Sequence, residues 1–170
     1  LVYYQYVKAD PRVIGQIYLS PGNDASLMYS TLGQEKYRET NRMIKEMVEQ
    51  GRDKEMLPKE LTVVCPMAAI AYYGYLTEDS VGNIFPYHNP KSPKWQALSS
   101  IREPLLVIFG QADNLIKPSI EETSKLLKEK ASASKDLTVR IVENANHSFI
   151  GHENEVAEII DGWVERNFRK

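Results

Sequence analysis

The apolar residues of this chain fall into two kinds of pattern that take turns along its length. Residues 1 to 8, LVYYQYVK, read as the end of a helix, because Asp10-Pro11 disfavours continuation. Residues 13 to 20, VIGQIYLS, then read as a buried strand, and Pro21-Gly22-Asn23-Asp24 as a turn, with Ser26 and Ser30 in the loop beyond it. From 34 to 51 the period changes: Tyr37, Ile44, Met47 and Val48 recur at helical spacing among charges, and Gly51 supplies a C-terminal cap. Residues 57 to 98 lose regularity apart from a short helix over 68 to 76, so they read as an insertion that packs over another surface. Regularity returns with the continuous apolar run of residues 104 to 109, which predicts a strand buried on both faces. Ser119 and Glu122 have capping-box spacing and open a helix to about Lys130. Residues 137 to 143 alternate as a third strand, and Val156, Ile159, Ile160, Trp163, Val164 and Phe168 mark a final amphipathic helix.

Strands alternating with helices predict an α/β fold: a parallel sheet with right-handed crossovers and helices on both faces. In such a sheet reactive groups gather past the C-terminal ends of the strands. Three loops are placed there, residues 20 to 24, 110 to 114 and 144 to 149.

Composition narrows the classes of function. The chain has 170 residues, 42% apolar and 26% charged, with a net charge of -2, so a packed core is expected and a disordered tail is not. With 21 basic against 23 acidic residues and no basic cluster, nucleic acid is not an expected partner. No apolar run reaches the roughly 20 residues of a membrane span, so no membrane partner is expected either. The single Cys65, in VVCPM, excludes an internal disulfide framework, reads as a packed apolar residue, and suits a reducing, cytoplasmic setting. The three histidines show no metal-ligand spacing, so neither a metal nor a cofactor is expected.

The candidate chemistry lies in two of the strand-end loops. Asp113 follows one strand and His147 the next, 34 positions later, and neighbouring parallel strands bring such loops together. A carboxylate beside an imidazole orients the ring, selects the tautomer whose free nitrogen faces a substrate, and stabilises the imidazolium. That is a general base held ready for a nucleophile. Taken singly, an Asp after a strand is commonly a turn former and a His there a hydrogen-bonded loop residue; it is their pairing at equivalent strand ends that argues for catalysis. Asp24 could reach the same histidine but reads better as a turn residue. His152 reads as a helix cap, and His88 as a surface or lid residue.

These residues carry a resemblance. Phe109-Gly110-Gln111-Ala112-Asp113 resembles the acid loop of the α/β-hydrolase superfamily, and Asn144-Ala145-Asn146-His147-Ser148-Phe149 resembles its histidine loop. Residues 10 to 21 are similar to the strand that follows the nucleophile's helix, and the insertion with Ile84-Phe85-Pro86-Tyr87, together with residues 98 to 107, is similar to fungal siderophore-esterase-like proteins. The resemblance implies a partial doubly wound sheet of α/β-hydrolase type and a cofactor-free serine hydrolase acting on a small-molecule ester. In it, Asp113 is the orienting acid, His147 the base, and residues 57 to 98 are lid-like. Tyr72, Phe85, Tyr87 and Trp95 would then be substrate-binding residues, the alternative being that they pack the insertion's own core.

The family's order is Ser, Asp, His, with the serine in G-x-S-x-G on a strand-to-helix turn. No serine of this chain meets that pattern: Ser20 precedes a proline, Ser99-Ser100 precede a strand, and Ser148 follows the histidine. The expectation is therefore a chain that forms the C-terminal part of one hydrolase domain, inactive by itself, its nucleophile and oxyanion donors lying before Leu1 and its cut sheet edge favouring self-association. The competing reading is a hydrolase-fold binding or scaffold protein without the chemistry. A third places Asp or Cys where the serine belongs.

Overall fold

The computed structural model describes residues 1–62 and 65–169. In chain order the elements are α1 (Val2–Lys8), β1 (Gln16–Leu19), α2 (Asp24–Leu32), α3 (Gln34–Glu49), α4 (Ala69–Leu76), α5 (Gln96–Ser99), β2 (Leu105–Gly110), α6 (Ile120–Lys130), β3 (Leu137–Val142) and α7 (Glu153–Phe168), with single 3-10 turns at Lys59–Leu61 and Pro93–Trp95. The three strands form one parallel sheet in the order β1-β2-β3, with Tyr18 opposite Val107 and Val107 opposite Val139.

The central strand explains the layering. All six residues of β2 are buried. Because its side chains alternate in direction, Leu105, Val107 and Phe109 enter a core with α5, α6 and the end of the insertion, while Leu106 and Ile108 enter a second core with Val156 and Trp163 of α7. Helices thus cover both faces, and the unbroken apolar run of β2 is the result. A third cluster lies between helices: Ala25 and Met28 of α2, Tyr37, Ile44 and Met47 of α3, and Ala69, Tyr72 and Leu76 of α4. Gly51, at φ 73°, lets the chain turn left-handed after α3, with Arg52 N–H donating to Met47 O. Ser119 Oγ accepts from Glu122 N–H at the start of α6, which is one half of the expected capping box.

Four expectations need correction. First, Pro21 to Asp24 is the entry to a helix rather than an isolated turn. Asn23, in extended backbone, accepts from Ser26 N–H through its side chain at 2.8 Å, and Asp24 occupies the first turn where the helix dipole favours a negative charge. Ser26 and Ser30 are therefore helical. Replacing Asn23 with Ala is expected to lower unfolding free energy by about 1 kcal/mol in urea titrations, and Asn23→Asp to be nearly neutral. Second, the first strand begins only at Gln16 and ends at Leu19: Ser20 N–H still donates to Ile108 O at 2.8 Å, but its left-handed φ of 41° turns the chain away from the sheet, and Ile14 is left exposed. Third, Cys65 is exposed on a bend that precedes the isolated bridge between Met56 and Ala68. Fourth, His88 is half-buried as a residue and its side chain, 3% exposed, is packed against the rings of Tyr29 and Tyr37. No helix among the described residues is long and apolar enough to cross a membrane.

Candidate active site

The loops leaving β1, β2 and β3 converge at the C-terminal edge of the sheet. A side-chain carbon built on Gly22, after β1, would lie 3.3 Å from Ile116 in the loop after β2 and 3.9 Å from Cε1 of His147 in the loop after β3. Backbone bonds tie the second and third loops together: Gln111 N–H donates to Val142 O, and Ala112 N–H to Ala145 O, both at 2.9 Å. Gln111 also receives Asn144 N–H on its side-chain oxygen. Asn144, at φ 56°, turns the chain after β3 in the left-handed region that asparagine tolerates better than most residues. The histidine loop is then braced from within, since Asn146 Oδ1 accepts from Ser148 N–H and Ile150 N–H while buried Phe149 anchors it in the α7 core.

This scaffold brings Asp113 and His147 together. His147 Nδ1 and Asp113 Oδ2 are 2.7 Å apart, a length typical of a charge-assisted hydrogen bond. Asp113 Oδ1 accepts from Leu115 N–H at 2.9 Å, so the carboxylate is fixed at both oxygens. The Asp113 side chain is fully buried, whereas the His147 side chain is 40% exposed. With an ionised Asp113 as acceptor, Nδ1 carries the proton and Nε2 keeps its lone pair available to a reactant. An imidazole so held can take a proton at Nε2 and return it, with the developing positive charge facing a buried carboxylate. Among the described residues no hydroxyl or thiol is hydrogen-bonded to His147.

The other candidates are placed elsewhere. Asp24 is exposed on α2. His152 stands at the N-cap position of α7 but makes no side-chain capping bond; its Nδ1 lies 3.4 Å from Glu155 Oε2. Tyr72, Phe85, Tyr87 and Trp95 are all buried as packing side chains, and they are not gathered in one place: Tyr72 belongs to the α2–α3–α4 cluster, the other three to the core beneath β2. Phe85 packs edge-on against Tyr18, and Tyr87 OH donates to Pro21 O at 2.8 Å. These contacts bind the insertion to β1 and its loop. Ser20 lies at the edge of the site with its Oγ buried and unpartnered among the described residues, but it is not hydrogen-bonded to His147. The local order β1, left-handed Ser20, then α2 was masked in the sequence by Pro21. Among the described residues no group of three or more His, Cys, Asp or Glu is arranged to hold a metal ion.

Comparison with known proteins agrees with this geometry at the level of fold. A family model described as "Protein of unknown function (DUF1749)" matches residues 1–165. No curated protein matches the chain. Among solved structures, a monoacylglycerol lipase of Paleococcus ferrophilus is similar with a TM-score of 0.57 and 15% identity, over 98% of this chain and 63% of the lipase. An esterase of Pyrococcus furiosus is similar with a TM-score of 0.47 and 11% identity, over 96% of this chain and 48% of its own. The likeness to the lipase shows an α/β-hydrolase fold, and the chain spans 63% of that protein's length.

Proposed function

The chain belongs to the DUF1749 family, and from the acid–histidine pair at its strand ends we propose that it supplies the general base and orienting acid of a serine hydrolase that cleaves a small-molecule ester. The observation that carries this reading is the buried Asp113 carboxylate, bonded at 2.7 Å to a half-exposed imidazole on the adjacent strand end. In the reaction, His147 Nε2 takes the proton of a serine hydroxyl as its oxygen adds to the ester carbonyl. The imidazolium formed is stabilised by Asp113, and the proton passes to the departing alcohol. Water then repeats the sequence on the acyl-enzyme, releasing the acid and restoring the serine. The fold's likeness to a lipase supports acyl transfer, and an ester substrate is part of the same proposal.

We infer that the nucleophile lies outside these 170 residues, because none of the described hydroxyls bonds to His147. A fluorophosphonate probe tests the reading on the protein with its natural flanking sequence. Labelling of one serine, abolished in His147→Ala, is expected. Absence of labelling in folded protein favours the second reading, a non-catalytic scaffold, to which the missing hydroxyl partner also points. The 170-residue chain by itself is expected to be unlabelled.

A further inference from the structure

Outside the acid–histidine pair, the structure holds a second histidine whose surroundings are unusual for packing alone. His88 lies in the insertion, with its ring stacked on Tyr29 of α2 at 5.0 Å between centroids and set edge-on to Tyr37 of α3. Its Nδ1 is 2.9 Å from Ser26 Oγ, and the backbone N–H of His88 donates to the same oxygen at 3.3 Å. Ser26 in turn meets Asn23 Oδ1 at 2.9 Å, in the first turn of α2. On the far side of the ring, Nε2 is buried, has no hydrogen-bond partner among the described residues, and faces Glu78 Oε1 at 3.5 Å. One residue earlier, Tyr87 OH holds Pro21 O. The residues so gripped, Pro21, Asn23 and Ser26, surround Gly22, which lies against His147.

We propose that His88 is a positioning residue: bonded to Ser26 and facing Glu78, it latches the insertion onto the first turn of α2 and thereby holds the Gly22 loop against the His147 imidazole. The proposal deepens the hydrolase reading, but the latch itself stands on geometry alone. Tyr87 fixes the entry to the loop and His88 its exit, so the loop is held at both ends by consecutive residues of one segment. An exposed tether would not need a ring enclosed by two tyrosines. The enclosure has a consequence for pH. Burial pushes the imidazole of His88 below its ordinary value, while the Glu78 carboxylate opposes that shift. An unlatched His88, returned to water, takes its proton near the ordinary value of about 6.5. The latch is therefore at full strength above that value and weakens as pH falls through it, because the open form binds the proton more readily. The groups facing the ring are Ser26 and Tyr29 from α2, Tyr37 from α3 and Glu78 from the loop after α4. Burial raises Tyr37 further above the neutral range. Glu78 shares a surface cavity with Asp79, Arg38, Arg42 and Lys45.

Amide hydrogen exchange on the protein with its natural flanking sequence, read for residues 20 to 26 and 85 to 89, tests the latch. His88→Leu keeps the apolar bulk and removes the bond, and exchange in both segments is expected to rise about tenfold, the equivalent of one buried hydrogen bond. His88→Asn places an amide where Nδ1 stood; it is expected to restore wild-type exchange at pH 7. It is also expected to abolish the rise, corrected for intrinsic rates, that the wild type shows between pH 7 and pH 5. A far-downfield Nδ1 proton is expected for His147 from its 2.7 Å contact with Asp113, broadened in His88→Leu and sharp again in His88→Asn. Unchanged exchange at residues 20 to 26 in folded His88→Leu, or no recovery in His88→Asn, overturns the proposal. These signals do not depend on turnover. Failure of fluorophosphonate labelling alongside the expected exchange pattern removes the hydrolase reading and leaves the latch.

Discussion

On the proposed hydrolase reading, Asp113→Asn in the protein with its natural flanking sequence is expected to lower kcat on an activated ester such as a p-nitrophenyl acylate by about 10⁴-fold while leaving the fold intact. The two side chains have the same shape, and Asn Oδ1 can still accept from Leu115 N–H as Asp113 Oδ1 does at 2.9 Å. The amide group then faces His147 in place of the oxygen that now lies 2.7 Å from Nδ1. An N–H there requires Nδ1 to be the acceptor, so the ring's proton moves to Nε2, where a lone pair is needed. The imidazole keeps its position and loses its function. A buried carboxylate also has no solvent to replace it in stabilising the imidazolium, since the side chain is fully buried. Removal of either partner disables one unit, so the double variant with His147→Ala is expected to be no slower than the slower single variant. Turnover of Asp113→Asn within tenfold of wild type would show that the pair is structural and that another group orients the base.

The residues that make this prediction possible were readable in advance because their placement follows from local pattern plus one topological rule. The apolar run at 104–109 declared a doubly buried strand, and the strand that forms, Leu105–Gly110, is buried at all six residues. The alternation at 137–143 declared its neighbour, which forms over Leu137–Val142, although burial along it does not alternate: Arg140 and Ile141 are both exposed and Val142 is buried. Two parallel neighbours place their following loops side by side, which is why Asp113 and His147 could be paired across 34 positions. The amphipathic face of α3 was equally plain, with Tyr37, Ile44 and Met47 inside.

What escaped the sequence has a common physical origin. In α2 the signal was present, Asn23 followed by an acidic first turn, but Pro21 and Gly22 satisfy the description of a turn just as well. Only the burial of Ala25, Ser26 and Met28 against α3 and α4 decides between them. His88 could not be foreseen as a buried residue because its partners, Ser26 and Tyr29, are some sixty positions away and the insertion has no period from which to read an inward face. The aromatic residues of the insertion show the same limit. Their chemistry suits a ligand-binding wall and a core alike, and long-range packing gave Phe85, Tyr87 and Trp95 to the core beneath β2.

Gly110→Ala is expected to be the most disruptive of the Gly→Ala changes among the described residues. Gly110 ends β2, and a side-chain carbon there would clash with Ala145 O and lie 2.5 Å from Asn146 O, closer than real side-chain carbons approach. Both obstacles are backbone carbonyls of the histidine loop, so no side chain can swing aside. Relief must come from separating that loop from the end of β2. Ala145 O is the acceptor of Ala112 N–H, and Val142 O that of Gln111 N–H, so separation lengthens the bonds that set the two loops in register. Forcing one methyl into packed backbone costs about 1–3 kcal/mol, and each weakened buried bond adds about 1 kcal/mol. A loss of roughly 3–5 kcal/mol is a large share of a typical domain's 5–15 kcal/mol, and urea denaturation measures it directly. On the proposed hydrolase reading, with the natural flanking sequence present, the effect on turnover is expected to be larger than the stability figure suggests. Asp113 moves with β2 and His147 with the loop, so a shift of about 1 Å breaks the 2.7 Å bond between them, and misplacement on that scale costs about 10²-fold in rate even where the protein stays folded. At 10 °C, where a weakened protein remains folded, the downfield Nδ1 proton of His147 is expected to vanish. A variant within 1 kcal/mol of wild type that keeps this proton would show that the two loops can part without parting the acid from its histidine.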